Sequence, residues 1–469
     1  MTAPLDLKLD RSTKTPLAEQ IRKGIEAAIR AGVLIPGARL PSWRDLAAQL
    51  GVARGTVRAA YERLLDAQLI ISSRSGGTRI ADRPAHIGAA AEGSDPEHAL
   101  PEMYRDFSSG SGIFQMGVPA ADSFPVKLFA RIRARTARAE TSAPAIHPDP
   151  RGESELRREI AAHLAIARAI ECRPSQIFVT AGFTGALGLV LRVLRLEGRS
   201  AWMEEPGFPL TRGALQIAQI TTIPVPVDDE GIDVDHGRRH APDAALAVVT
   251  PGQQAPFGPT LPLARRLGLI EWAARTGAWI IEDDYLGELQ LRGRAAPALA
   301  SLDRAGRVIH IGSFSKTISP TLRLGFAVVP PPLTARFAEA ASCLAPAPGP
   351  AVQLATAEFL RDGHYMRHLR KMKRVYALRR DALKACLETY GLKIRPAGLS
   401  MLIALPDGAR DLRITREAAA FGLAPSPLSS WYGDTASRRS GLLLGVTTAP
   451  GKRLVASCER LHGLIETFG

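Results

Sequence analysis

Cysteine is scarce in this chain. There are four in 469 residues, Cys172, Cys343, Cys386 and Cys458, with neither CxxC nor metal-ligand spacing. That excludes a disulfide framework, leaves no metal site to assign, and predicts reduced thiols in a cytoplasm. Long apolar runs are missing too. No stretch of about 18 uncharged apolar residues occurs, so no membrane span is expected. The opening Met1-Thr-Ala-Pro-Leu-Asp-Leu-Lys carries no apolar core of a secretion signal. No internal repeat is visible. The composition, 46% hydrophobic with 23% charged residues, is that of a soluble globular protein able to bury a large core. At this length two or more domains are expected.

Negative charge is in deficit, and unevenly so. The formal net charge is +14; residues 1–80 hold 13 Lys/Arg against 7 Asp/Glu, and the remaining 389 residues hold 47 against 39. A dense basic head on a milder body points to an anionic partner for the head, with nucleic acid the first candidate.

The head has the punctuation of short helices. A Thr15 cap and Pro16 in the first turn are expected to open a helix in which Leu17, Ile21, Ile25, Ala28 and Ile29 recur at helical spacing, and Gly32 closes it. After the Pro36-Gly37 turn, Ser42 and Asp45 form a capping-box pattern, predicting a helix from Trp43 to about Leu50. Gly51 breaks it, and a third helix is expected from Arg54 to about Ala67. Leu69-Ile-Ile-Ser-Ser-Arg-Ser-Gly-Gly-Thr-Arg-Ile80 reads as two short strands around a glycine turn. This order is the outline of a winged helix-turn-helix, whose third helix would present Arg54, Thr56 and Arg58 to base edges and phosphates. Gly76 and Gly77 would let the wing approach the DNA backbone.

The segment resembles the DNA-binding domain of the GntR superfamily, on three stretches: Leu40-Pro-Ser42-Trp-Arg44-Asp-Leu-Ala47, Gly51-Val-Ala-Arg54-Gly-Thr56-Val57 and Tyr61-Glu-Arg-Leu64. The resemblance implies a double-stranded DNA operator as partner and adds Ser42 and Arg44 to the expected DNA-binding set. Ala53 departs from it, standing where a serine usually caps the recognition helix.

Residues 82–106 lack apolar periodicity and are rich in Pro, Gly and small side chains, as a flexible linker is. Extended at ~3.3 Å per residue, they would reach several tens of Å. The expected division is a head over 1–81, a linker over 82–106 and a body over 107–469.

In the body, helical patterns alternate with short apolar runs beginning at Ile177, Ser200, Ala245, Trp279 and Val308. Strands spaced by helices predict an α/β, doubly wound, mostly parallel sheet with ligands at the strands' C-terminal ends. Three motifs sit at such ends. Gly312-Ser313-Phe-Ser315-Lys316 with Arg323 sets an amine beside two hydroxyls and a guanidinium. A desolvated lysine is a nucleophile, and Ser/Ser/Arg can hold a phosphate; together they suit pyridoxal phosphate. Thr180-Ala-Gly182-Phe183-Thr184 offers backbone N–H groups at a helix start, although such a turn is commonly a plain connection. Glu282-Asp283-Asp284-Tyr285 could face a pyridine nitrogen and the ring's 3-oxygen, or simply cap a helix.

In order, these motifs resemble the fold-type-I aminotransferases over roughly 360 residues. The resemblance implies pyridoxal 5'-phosphate as cofactor, in Schiff-base linkage to Lys316, with Asp283 at the pyridine nitrogen and Tyr285 at the 3-oxygen. Ser313, Ser315, Arg323 and the turn of Gly182, Phe183 and Thr184 would take the phosphate, and Phe208 matches a usual tyrosine near the cofactor. Head and body together resemble the MocR, or GabR-type, bacterial regulators. That implies an amine or amino-acid effector, or the cofactor itself as signal, and a homodimer that the linker length allows to be domain-swapped. Three departures stand out. His147 replaces a tyrosine, the Thr250-Pro-Gly-Gln-Gln-Ala-Pro-Phe-Gly258 loop is unusual, and Leu443 lies about where working enzymes carry the arginine that grips a substrate carboxylate. Two other functions compete, an active aminotransferase with an appended DNA-binding domain and a dimerisation platform without cofactor. Leu443 opposes the first. The presence of Lys316, Asp283, Tyr285 and Arg323 opposes the second.

Overall fold

The computed structural model describes residues 7, 9–13, 15–73, 77–81, 112–142, 146–291, 295–449 and 451–469. The expected linker over 82–106 therefore lies outside the described residues, as does Gly76. The chain divides into two compact units, Met1–Pro101 and Glu102–Gly469. No helix among the described residues is long and apolar enough to cross a membrane. All four cysteines are free.

In the first unit, helices α1 (Leu17–Arg30), α2 (Trp43–Leu50) and α3 (Arg54–Asp66) precede the hairpin β1 (Ile70–Ser73) and β2 (Gly77–Ile80). Ile21 and Ile25 of the apolar stripe are fully buried, against Leu46, Val57, Leu64 and Ile80. Thr15 does not cap α1. The N-cap is Pro16, whose carbonyl takes the Glu19 and Gln20 N–H groups without any side-chain cap. Ser42 does cap α2, accepting the Asp45 N–H at 3.2 Å, while its hydroxyl donates to the Asp45 carboxylate at 2.7 Å. Ala53 leaves α3 without a side-chain cap, and Tyr61 ties α3 to the start of α2 by donating to the Pro41 carbonyl at 2.9 Å. Residues 37–40 bond along β2, so the hairpin is braced by the turn before α2.

The second unit is built on an eight-stranded sheet in the order β3-β10-β9-β8-β7-β4-β5-β6. Its strands are β3 (Ile177–Thr180), β4 (Ser200–Glu205), β5 (Thr221–Asp228), β6 (Gly231–Ile232), β7 (Leu246–Val249), β8 (Trp279–Asp284), β9 (Val308–Ser313) and β10 (Gly325–Val328). All five strands expected from apolar runs are present. The expectation of a mostly parallel sheet holds from β9 through β5, but β10 runs antiparallel between β3 and β9. The reason is the short return loop. Only the segment between Ser313 and Gly325 joins β9 to β10, whereas a parallel crossover needs about a dozen residues or more, usually a helix. A second, antiparallel sheet, β11 (Ile394–Ala397), β12 (Ser400–Ala404), β13 (Ser426–Pro427) and β14 (Gly441–Gly445), has the order β11-β12-β14-β13. The long helix His364–Glu388 precedes it and packs against both β11 and β12.

Helices cover both faces of the large sheet. One face packs Met203, Ile281, Ile309 and Ile311 against the helix Gly182–Leu194. The other stacks Trp202 of β4 on Trp272 of the helix Leu263–Thr276, ring centroids 3.8 Å apart, both buried. Both indole N–H groups are bonded, to the Ala241 and Pro242 carbonyls. Trp202→Ala opens a cavity in this layer and leaves the Ala241 carbonyl without that donor. We expect a loss of about 3–5 kcal/mol, seen as a lowered urea midpoint of the body's unfolding; an unchanged midpoint would contradict the stacked core.

Candidate functional site

Strand register assembles the candidate cofactor site. Gly325 at the start of β10 lies opposite Ser313 at the end of β9 and opposite Thr180 at the end of β3. A Cβ on Gly325 would meet the Gly312 carbonyl at 2.9 Å and Gly182 at 3.0 Å, so only glycine lets the three strand ends close up. The helix Gly182–Leu194 begins at this point. Arg323 adopts φ +48°, in the left-handed region, and this turns its guanidinium back to the helix start. There it donates to Thr184 Oγ1 at 3.0 Å and to the Ala181 carbonyl at 3.2 Å. Ser315 N–H donates to Ser313 Oγ at 3.2 Å. Thr184, Arg323, Ser313, Ser315 and the 182–184 turn thus share one rim of strand and helix ends, a donor set that fits a phosphate.

Lys316 follows on the same loop and is half-buried, its amine donating to the Gly117 carbonyl at 2.6 Å. Burial draws its pKa down to about 8, against the opposing pull of Asp283. Asp283, buried on β8, is held well above the usual carboxylate range by burial, reinforced by Asp284 and Glu204 and opposed by Lys316. A protonated ring nitrogen would add a second positive charge, beside Lys316, to offset the burial of this carboxyl. Tyr285 is also pushed up by burial, and stays a phenol able to donate.

Phe208 contacts Phe183 and Trp431, and lies in an apolar cluster with Tyr285, Phe257 and Leu443. Leu443 is fully buried on β14. The pocket wall beside Tyr285 and Phe208 is therefore hydrocarbon. Of the arginines nearest in sequence, Arg212 is tied to Glu205 at 3.0 Å and to the Trp431 carbonyl at 3.1 Å, while Arg438 and Arg439 are exposed. His147 is exposed as well.

Sequence reasoning missed four contributors. Gly117, which receives the Lys316 amine, lies 199 residues earlier and carries no motif. Glu204 is buried on β4, its pKa raised to about 7 by burial although Thr250 N–H, Thr250 Oγ1 and Gln254 bond it. The unusual Thr250 loop is thus the cap of a buried carboxyl near Asp283, legible only once β4, β7 and β8 lie side by side. Arg395 lies over the Phe257 ring at 4.9 Å. Tyr432, whose phenol burial pushes up, feels the opposing charges of Arg439 and Arg395.

In the head, Arg44, Arg54 and Arg58 are exposed on α2 and α3, and Thr56 is half-buried. Arg44 lies over the Trp43 ring at 4.8 Å. Arg58 pairs with Glu62 at 2.9 Å, an exposed pair worth little. The Ser42 hydroxyl proton is committed to Asp45. Gly77 has φ +69°, and a Cβ there would meet the Arg39 guanidinium at 3.4 Å.

The fold and site define a two-part protein, a winged helix-turn-helix head followed by an aminotransferase-type body. Residues 17–80 match the bacterial regulatory proteins of the gntR family, and residues 117–418 match aminotransferase class I and II. The chain is 34% identical, over 93% of its length and 91% of the relative's, to a probable rhizopine catabolism regulatory protein MocR of Rhizobium meliloti. It is 32% identical, over 95% of both, to the pyridoxine biosynthesis transcriptional regulator PdxR of Corynebacterium glutamicum. Among solved structures, LysN, the α-aminoadipate aminotransferase of Thermus thermophilus in complex with N-(5'-phosphopyridoxyl)-L-leucine, superposes with TM-score 0.71 at 25% identity, over 78% of this chain and 95% of that one. The chain belongs to the MocR-type family of DNA-binding transcriptional regulators, with a GntR-type head and an aminotransferase class I and II body. That body's fold is one of pyridoxal-phosphate proteins.

Two outcomes test this geometry. In the cofactor-free protein, acylation of Lys316 should rise through about pH 8, well below ordinary lysines at ~10.4, when labelling is resolved by peptide mass. A profile that tracks exposed Lys127 would contradict its burial. In the head, Arg54→Ala should cost ~1–3 kcal/mol of operator binding with relaxed specificity if it reads a base, or a uniform loss with a smaller salt slope if it holds a phosphate. Unchanged operator affinity of the Arg44/Arg54/Arg58 triple alanine variant would remove the interface.

Proposed function

We propose that this regulator binds pyridoxal 5'-phosphate through Lys316 and uses it to sense an amine or amino acid, or the cofactor itself. The observation that carries the reading is a half-buried lysine with a depressed pKa, across from a buried carboxyl with a raised one and beside a phosphate-type donor set. When bound, the cofactor supplies an aldehyde that condenses with amines. Thr184, Ser313, Ser315, Arg323 and the backbone of 182–184 would hold its phosphate. Asp283 would pair with a protonated ring nitrogen, Tyr285 would donate to the 3-oxygen, and Phe208 and Phe183, in contact with each other, would line the site.

Leu443 separates sensing from turnover. A carboxylate placed against this buried wall would lose several kcal/mol of hydration with no cation to replace it. An effector whose acid group lies further from its amine could reach towards Arg395 or Arg439, both of which act on Tyr432 at the edge of the same cluster. Such a ligand need only bind one conformation better than another to alter DNA binding. The regulator acts as a cytoplasmic homodimer, its two heads reading paired half-sites.

The purified protein should be yellow. Borohydride reduction should fix the cofactor's mass on the peptide carrying Lys316, and Lys316→Ala should abolish that adduct. Amines screened by cofactor absorbance identify the effector class. Label on another lysine, or on none, would end the cofactor reading. Rapid multiple turnover of ordinary α-amino acids with a keto-acid acceptor would favour an active aminotransferase instead.

A further inference from the structure

Behind the Lys316 loop runs a row of buried and half-buried polar side chains that neither the phosphate donors nor the ring contacts use. His163, on the helix Ser154–Arg168, meets Glu288 at 2.5 Å. The other Glu288 oxygen lies 3.1 Å from the Tyr365 hydroxyl, and that hydroxyl lies 3.0 Å from Thr317 Oγ1. His368, one turn further along the helix His364–Glu388, reaches the Thr317 carbonyl at 2.7 Å. Thr317 is the chain neighbour of Lys316.

The protons in this row can be assigned. Burial opposes the charge on Glu288, but His163 and Arg168 outweigh it and hold its pKa below the usual value. Burial likewise opposes the charge on His163, and Glu288 outweighs it. The two therefore form an ion pair. Tyr365 is held well above its ordinary pKa by burial and by Glu288, so it keeps its one proton. Donating that proton to the carboxylate leaves the phenol oxygen to accept from the Thr317 hydroxyl. Burial pushes the His368 pKa down, so the ring is neutral and its Nε2–H is fixed as the donor to the Thr317 carbonyl.

Thr317 is thus held at its side chain and its backbone at once, which fixes both its place and its rotation. A mere helix-to-loop contact would be served at lower cost by apolar residues, since each buried polar group must recover its lost hydration. The surroundings are apolar: Phe124 packs edge-on to His368 at 5.2 Å and Phe314 edge-on to Tyr365 at 5.9 Å. We propose that Tyr365 and His368, backed by Glu288 and His163, are positioning residues that set where the Lys316 amine stands. This rests on the reading of Lys316 as the cofactor lysine. The same helix packs on β11 and β12, so it links the Lys316 loop to the small sheet.

The test uses the full-length protein loaded with pyridoxal phosphate, and reads cofactor affinity and the pH midpoint of the visible absorption band. Tyr365→Phe keeps the ring and removes the hydroxyl; Thr317→Val removes its partner. Each should weaken cofactor binding roughly three- to tenfold, the worth of one hydrogen bond, and move the midpoint by about half a unit to one unit. The double variant should be no worse than the worse single one, because both remove the same contact. His368→Gln, which keeps a donor near Nε2, should retain the wild-type midpoint, and His368→Leu should not. Wild-type affinity and midpoint in soluble Tyr365→Phe and Thr317→Val, or effects that simply add, would overturn the proposal. If Tyr365→Phe does not fold, Thr317→Val decides from the loop side. Failure of borohydride to label Lys316 in the wild type would overturn the underlying cofactor reading, and this proposal with it.

Discussion

Asp283 and Lys316 are set at the ends of adjacent parallel strands, in surroundings too dry for either charge to be comfortable. Burial raises the carboxyl and lowers the amine, and each is restrained only by the other. The rest of the body can be understood as the apparatus that holds these two groups there. The β8–β9 register sets Asp283 opposite Ile311, and Gly325 lets β10 close against β9, bringing the phosphate-type donors to the mouth of the same strands. In the proposed reading the amine would be the nucleophile, and the carboxyl would pair with a protonated ring nitrogen. A ring that brings a protonated nitrogen and an aldehyde answers both.

The pleat makes this selective. Glu282, next to Asp283 on β8, points to the opposite face and is fully buried, yet its pKa falls. Burial opposes the charge there, but His310 at 3.0 Å and the Leu299 and Ala300 N–H groups outweigh it. Asp284, one residue on, is bonded by Arg168 at 2.6 Å. Three successive carboxylates thus have three fates. Glu282 ties β8 to β9, Asp284 anchors a buried arginine, and only Asp283 is left facing the amine.

The head works by a different balance. Arg44, Arg54 and Arg58 are exposed, and the Arg58–Glu62 pair is an exposed one worth little, so these side chains are available to an anionic partner at little cost. The rigid part is what aims them: Tyr61 ties α3 to the chain entering α2, Ser42 starts α2, and residues 37–40 brace the hairpin. Specific recognition needs both features, exposed charged side chains and a fixed helix pair.

Much was legible without coordinates. The α1 stripe, the Ser42 cap, the breaks at Gly32 and Gly51, and the five apolar runs are local signals, governed by spacing within one helix or strand. So is the grouping of Ser313, Ser315, Lys316 and Arg323, which are near one another in the chain. The expected Thr15 cap fails because Pro16 supplies an N-cap conformation of its own. Long-range pairing was not legible: the antiparallel insertion of β10, Gly117 as the acceptor for Lys316, Glu204 beneath the Thr250 loop, and the row from His163 to Thr317. Their partners lie tens to hundreds of residues apart. Desolvation, which decides the charge of Asp283, Glu204 and Lys316, depends on what other segments pack around them. The sequence by itself determined which elements form and which chemical groups they carry; only the tertiary structure decided which of those groups lose water together, and hence which carboxylate is left facing the lysine.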